Sequence, residues 1–376
     1  MLTFQKHLNQ RHFRMTVTYE RDINIEFVDV FSFLRSKPEK RKVVFIDPIV
    51  LANHDQFLQI EASDPGILLV PTNVNESNKD LESLTSILSV LETNGIGRRG
   101  DVVFAVGGGA LLDVVAFATS VFRRGIAIVK IPTTLLGIVD ASIGIKTGIN
   151  FLGQRNRLGS YNFDYDVAID PVLMGGLHRT LVRQGLGEIF KIAVIKSCSL
   201  FDAVFSHGDR LEDPSFYCSL EGKDILVQSI NLMLEELHEN PRELNLKRCV
   251  DYGHSFSPLV EMESISRRGY KSLSHGYAVA YDCILSATIA SNRGILGEPE
   301  YRKILSLFMA HDFDFANDIY RDYNLLWASF LEMVKHRGGS QNLPVPSSIG
   351  AYDFIQDLSF DEMKASAVML AEAMAK

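Results

Sequence analysis

The run DVVFAVGGGALLD, residues 101–113, decides the fold. Residues 102–106 are apolar and rich in β-branched side chains, the pattern of a buried strand. Gly107-Gly108-Gly109 ends that strand, and residues 110–122 read as a helix with Asp113 in its first turn. This order lets backbone N–H groups approach a pyrophosphate, while the helix N-terminus adds partial positive charge. The triplet is not the six-residue GxGxxG fingerprint, and taken alone a plain strand-to-helix turn would read the same way.

Residues 126–131 read as a second buried strand, running into Pro132-Thr133-Thr134 and then Asp140, Lys146, Asn150 and Asn156. Hydroxyls, a carboxylate, an ammonium and amides beyond strand ends suit a polyhydroxylated, phosphorylated ligand. A solvated loop would also be polar, but Leu135, Leu136, Ile138, Val139 and Ile143 interleave with these groups and argue against full exposure. Further strands are expected at 43–46, 66–70 and 167–169, with a hairpin over 15–31. After Asp170-Pro171 the pattern becomes mainly helical, at 182–197, 225–237, 278–293 and 301–310. The expected architecture is an α/β dinucleotide-binding domain over 1–175 and a mainly helical metal- and substrate-binding domain over 176–376, with the site between them.

The chain has 376 residues, 46% of them hydrophobic, enough for two cores. A net charge of −8 without a long basic run disfavours nucleic acid as a partner, yet leaves room for a local cationic pocket. Cys198, Cys218, Cys249 and Cys283 form no CxxC pair, which points to reduced thiols in a cytoplasm. No apolar run approaches the roughly 20 residues that cross a bilayer, so no membrane partner is expected.

Asp47, directly after the strand expected at 43–46, suits a ribose hydroxyl, with a turn-forming Asp as the alternative. Glu188 and Lys191 share a helix face, ordinarily a surface ion pair. His254 and His275 lack the spacing of HExxH, so nothing local shows that they meet.

The motifs VGGGALLD, RRG, IPTTLLGIVDASIGIKTGIN, NRLGS, GLGEIFKIAV, VDYGHSFSPLVE and HGYAVA, in this order between about residues 40 and 350, resemble the dehydroquinate synthase superfamily of sugar phosphate cyclases. Within it the likeness is to the sedoheptulose 7-phosphate cyclases, in particular the 2-epi-5-epi-valiolone synthase branch. The resemblance implies NAD held by Asp47, Glu76, Lys79, Gly107, Gly108, Gly109, Asp113, Thr133, Thr134, Asp140 and Lys146. Glu76 and Lys79 read equally well as surface charges. It implies zinc, or cobalt in its place, on Glu188, His254 and His275, an open Lewis-acid site. Lys146, Lys191, Asp140, Asn156, Arg124, Asp251 and Arg248 are implied as catalytic contacts, with Asn150 and Arg155 beside them. The implied partners are a small sugar phosphate and a second copy of the chain. The implied cycle oxidises a ring carbon with NAD⁺, eliminates phosphate, returns the hydride, opens the ring and closes a carbocycle by aldol attack.

Three departures from dehydroquinate synthase bear on substrate: Asp251 in place of Asn, Pro258 in place of a second His, and Met233 in place of a basic residue. A carboxylate at 251 disfavours an acidic substrate and can accept hydrogen bonds from sugar hydroxyls. Tyr277 departs from the usual HGE beside the third metal ligand. Lys335 and Arg337 lie in a late loop whose folding over the cleft would bring one of them to phosphate; a glycine-rich surface turn is the plainer alternative. The 2-epi-valiolone and desmethyl-4-deoxygadusol branches and 3-dehydroquinate synthase remain alternatives. Dehydrogenases of the glycerol dehydrogenase type share GGG…D and PTT, but DASIGIKTGIN, NRLGS and GHSFSP favour a cyclase. A non-catalytic scaffold would not need Lys146, Glu188, Lys191, His254 and His275 together.

Overall fold

The computed structural model describes residues 2–5, 13–18, 22–266 and 272–374, and its chain divides into two units. The first holds Met1–Leu177 with Leu237–Arg242, and the second holds His178–Glu236 with Glu243–Lys376.

The first unit is built on β1 (Leu2–Gln5), β2 (Phe13–Thr18), β3 (Asp22–Phe27), β4 (Arg41–Ile46), β5 (Ile67–Pro71), β6 (Asp101–Gly107), β7 (Ile128–Pro132), β8 (Lys146–Phe151), β9 (Gln154–Tyr161) and β10 (Tyr165–Ile169). Eight of these form one sheet in the order β1-β2-β3-β10-β7-β6-β4-β5. From β3 to β5 all neighbours are parallel, whereas β1, β2 and β3 meander antiparallel at the other edge. The expected hairpin over 15–31 is the β2–β3 pair, which ends at Phe27 because Asp29 caps the helix Val30–Ser36 by accepting from the Ser32 N–H at 2.7 Å.

Every residue of β6 is buried, as a central parallel strand covered on both faces requires. Val44, Ile46, Phe104, Val106, Val129 and Ile131 pack with Phe57 and Ile60 in one core. The parallel register aligns Ile46 with Val106 and Gly107 with Pro132. The chain leaves β4 toward β5 on one side and returns to β6 on the other, so the topological switch lies between the carboxyl ends of β4 and β6. That crevice is where open α/β sheets take ligands.

The polar stretch after β7 is more ordered than its composition suggested. It forms a π-helical turn, Gly137–Ala141, followed by the β8–β9 hairpin. Helix Gly109–Val121 also corrects the placement of Asp113: it is the fifth helical residue, and no acidic residue lies in the first turn.

The second unit is centred on helix His275–Asn292, buried on all sides, as a helix apolar around its whole circumference must be. It packs on helices Arg179–Lys196, Ser257–Ser266, Glu298–Met309 and Phe360–Met374 and on β11 (Leu343–Ser348). β11 pairs with β12 (Ala351–Ile355) in a hairpin that the helical reading of this half did not include. Among the described residues, no helix is long and apolar enough to cross a membrane.

Candidate active site

Register alone gathers three of the expected cofactor positions in the first unit. Asp47 follows β4, Gly107 ends β6 and Thr133 follows β7; the Asp47 N–H donates to Val106 O at 2.9 Å, and the Thr133 N–H to Gly107 O at 3.0 Å. Asp47 also caps the helix Pro48–Asn53 through the Ile49 N–H, 2.8 Å, so its turn-forming role is real. Gly108 is the N-cap of helix Gly109–Val121 and has no side chain to occupy the helix N-terminus. Thr134 Oγ1 accepts from the Gly137 N–H at 3.0 Å, tying the cradle to the π-helical turn that carries Asp140.

A second cluster forms around Lys79, which is 1% exposed and therefore no surface charge. Its ammonium lies 2.5 Å from Asp113 Oδ2, 2.7 Å from Asn156 Oδ1 and 3.6 Å from Glu76 Oε1. Asn150 joins the same knot: its backbone N–H donates to Lys79 O at 2.7 Å, its side-chain amide to Glu76 O at 3.1 Å, and its Oδ1 accepts from the Asn156 N–H at 2.9 Å. Arg155 lies 3.8 Å from Glu76. Lys146 opens β8 with an exposed side chain. Arg124 is not gathered here. It is exposed at the far end of helix Gly109–Val121, whose 13 residues put it about 20 Å from the glycine turn.

Lys130 was missed from the sequence, although a lysine inside the apolar strand IVKIP is itself a signal. It is 1% exposed, donates to the carbonyls of Ala141, Ser142 and Gly144 at 3.3, 3.4 and 2.9 Å, and lies 4.0 Å from the Tyr165 ring centroid. Burial pulls its pKa down to about 8, against the opposing pull of Asp113 and Asp140. It therefore pins the segment between Asp140 and Lys146 from beneath.

In the second unit, Glu188, His254 and His275 each offer a ligand atom, all within 4.8 Å of one another. His275 Nε2 is 3.3 Å and His254 Nε2 3.7 Å from Glu188 Oε1. Glu188 is 2% exposed, and neither carboxylate oxygen meets a well-aligned hydrogen-bond donor, although Lys191 Nζ stands 2.5 Å from Oε2. The Glu188–Lys191 pair is thus buried, not the surface pair that helix spacing alone suggests. Burial raises the Glu188 carboxyl, but Lys191 and the two histidines outweigh it and hold it well below its usual range. Burial, with Lys191 beside it, brings His254 down to about 3, leaving a neutral imidazole. A carboxylate and two imidazoles, with buried carboxylate oxygens short of partners, fit a tetrahedral zinc-type ion with room for further oxygen ligands.

The supports of this triad had no signal in the sequence. Glu261 Oε2 lies 3.0 Å from His275 Nδ1, and the opposite ring nitrogen, Nε2, faces Glu188. Asp282 Oδ2 accepts from the backbone N–H groups of Ser255, Phe256 and Ser257 at 2.7, 2.5 and 2.9 Å, fixing the loop that carries His254. Gly187 and Gly276 stand where helices Arg179–Lys196 and His275–Asn292 cross, placing Glu188 beside His275.

Asp251 is buried between Arg248, whose Nε lies 3.0 Å from Oδ1, and Arg337, whose Nε lies 3.4 Å from Oδ2. Burial raises its pKa, yet the two guanidinium groups hold it below the ordinary range. Arg337 is 3% exposed, so it does not stand on a surface loop; Lys335 is exposed on helix Tyr323–His336. Met233 is buried in helix Leu220–Glu239, and Pro258 sits in the first turn of helix Ser257–Ser266, where its missing N–H costs nothing.

Residues 69–184 match the family model for the 3-dehydroquinate synthase N-terminal region, and residues 185–336 that for its C-terminal region. A 2-epi-5-epi-valiolone synthase of Streptomyces albus is 40% identical over 314 residues, covering 82% of this chain and 75% of that protein. The structure of ValA, a 2-epi-5-epi-valiolone synthase from Streptomyces hygroscopicus subsp. jinggangensis with NAD⁺ and Zn²⁺ bound, superposes with a TM-score of 0.85 at 33% identity, covering 95% of this chain and 98% of that one. A probable glycerol dehydrogenase from Sinorhizobium meliloti, TM-score 0.59 at 13% identity over 92% of this chain and 94% of that one, shares the fold alone. The sheet with its glycine turn, the helical unit with its Glu-His-His triad, and these two matched regions together place the chain in the dehydroquinate synthase family.

Proposed function

We propose that this chain is an NAD- and zinc-dependent sugar phosphate cyclase that converts sedoheptulose 7-phosphate to 2-epi-5-epi-valiolone with release of phosphate. The observation that carries it is the convergence of Glu188, His254 and His275, with Asp251 three residues before His254, in a chain 40% identical to a 2-epi-5-epi-valiolone synthase. The first unit binds the dinucleotide through Asp47, Gly107, Gly108, Gly109, Thr133 and Thr134, with the Lys79 knot and Asp140 as further contacts. The second unit holds the ion on the triad.

When bound, NAD⁺ supplies a reversible hydride acceptor, and the divalent ion supplies Lewis acidity toward substrate oxygens. The chain's own groups do the rest. Lys191, buried beside Glu188, stabilises negative charge developing on a substrate oxygen. Lys130 holds the turn between Asp140 and Lys146 so that both present to the ligand in a fixed geometry. The sugar phosphate is the partner, and the reading extends to a homodimer in the cytoplasm.

The test supplies sedoheptulose 7-phosphate to protein loaded with NAD⁺ and zinc, follows phosphate release and the nicotinamide absorbance, and identifies the product by NMR. Stoichiometric phosphate, no net NADH and a valiolone-type carbocycle are expected. Steady NADH accumulation, or turnover of the seven-carbon keto acid phosphate of dehydroquinate synthase alone, would overturn the assignment.

A further inference from the structure

We propose that Arg337 is a specificity-determining positioning residue: its guanidinium is a masked anion site, and Asp251 is the internal counter-ion that keeps carboxylate-bearing sugar phosphates from using it. This deepens the cyclase reading and rests on it for the identity of the substrate.

Arg337 Nη2 donates to Ser255 Oγ at 3.0 Å and Nη1 to Gln341 O at 3.1 Å, both neutral acceptors. Its carboxylate contact among the described residues is Asp251. Arg248 differs, because it also pairs with Glu243 and keeps a counter-ion if Asp251 is neutralised. Arg248 and Arg337 pair with Glu243 and Asp251, and the buried Asp282 adds a weaker negative field at Arg337. Removing the charge at Asp251 leaves Arg337, among the described residues, as a buried cation with no carboxylate in contact and only the longer-range field of Asp282, an arrangement that a ligand carboxylate satisfies bidentately. Ser255 is the neighbour of His254, so the unmasked cation would stand next to the ion-binding loop. With Asp251 in place, a second carboxylate meets repulsion and a guanidinium already engaged, whereas neutral hydroxyls can still share the free lone pairs of Asp251.

The experiment titrates NAD⁺- and zinc-loaded protein by calorimetry with two probes, sedoheptulose 7-phosphate and the keto acid phosphate. Asp251→Asn preserves shape and removes the charge. It is expected to bind the acid about tenfold tighter than the parent. The gain is expected to vanish in Asp251→Asn/Arg337→Met and to survive partly in Asp251→Asn/Arg337→Lys, while Arg337→Met alone shows no gain. Arg337→Gln, which can keep the Ser255 hydrogen bond, replaces the methionine variant if that one does not fold; melting temperature and zinc content report folding. A gain that persists without the Arg337 charge, or no gain in a folded Asp251→Asn protein, overturns the proposal. Failure of the cyclase reading shows separately, as a parent protein that releases no phosphate from sedoheptulose 7-phosphate.

Discussion

Gly187 and Gly276 meet backbone to backbone: a Cβ added at Gly187 would fall on the Gly276 carbonyl, and one added at Gly276 on that of Gln184. The next residue after Gly187 is Glu188 of the candidate metal triad, and the one before Gly276 is His275 of the same triad. Gly187→Ala is therefore expected to force the helices apart, destabilise the protein by about 1–3 kcal/mol and weaken zinc binding as well. Thermal melting and zinc content of the same preparation check this; a variant that melts lower yet holds zinc as tightly as the parent would separate the crossing from the ligand geometry.

Glu261→Gln leaves the packing around His275 nearly unchanged but replaces the carboxylate at Nδ1. Loss of such a partner typically costs about 10–100-fold in metal affinity, and a loss of that order is expected for zinc. Competition against a fluorescent chelator measures it. Unchanged affinity would mean that the 3.0 Å contact does not orient the ring.

Lys130→Met keeps the apolar stem and leaves the carbonyls of Ala141, Ser142 and Gly144 without their shared cation. Unsatisfied buried acceptors cost about 1–3 kcal/mol each, so the segment between Asp140 and Lys146 should loosen. Phosphate release should fall about tenfold or more, as misplacement of binding groups does, with zinc content unchanged. Full activity would remove Lys130 from the supporting set.

Glu212 supplies the pH prediction. Burial raises its pKa, but Arg183 and His311 outweigh that and hold the folded carboxyl below its ordinary value of 4.5. Arg183 engages both oxygens, at 3.0 and 2.9 Å. A depressed carboxylate contributes stability that is present above the unfolded pKa and is lost as pH falls through the folded one. The stability gap between parent and Glu212→Gln should thus be largest near neutrality and shrink on acidification below about 4.5. Urea unfolding of both proteins across that window tests it, and a gap that stays constant would rule the linkage out.

The parallel strands were legible because a strand buried on both faces needs a continuous apolar run, and residues 43–46 and 102–106 have one. The β8–β9 hairpin was hidden because its two-residue turn is Leu152-Gly153, with φ of 51° and 73°, where Asn-Gly or Asp-Gly would have announced a turn needing two positive φ values. The candidate metal ligands were named through motif likeness, since three residues drawn from two helices and a loop carry no local periodicity. Asp282 lay out of reach for the same reason: it caps N–H groups 25–27 residues earlier in the chain, and no pattern in either segment records the pairing. Lys79 read as easily as a surface charge because only tertiary packing supplies Asp113 and Asn156 to neutralise and enclose it.

The grip of Asp282 on the His254 loop comes from the same helix that begins with His275, so peptide hydrogen bonds, not coordination bonds, assemble the cage. Such a protein is expected to fold first and load afterwards. Dialysis against a chelator should leave its circular dichroism spectrum intact, and added zinc should restore turnover without a refolding lag.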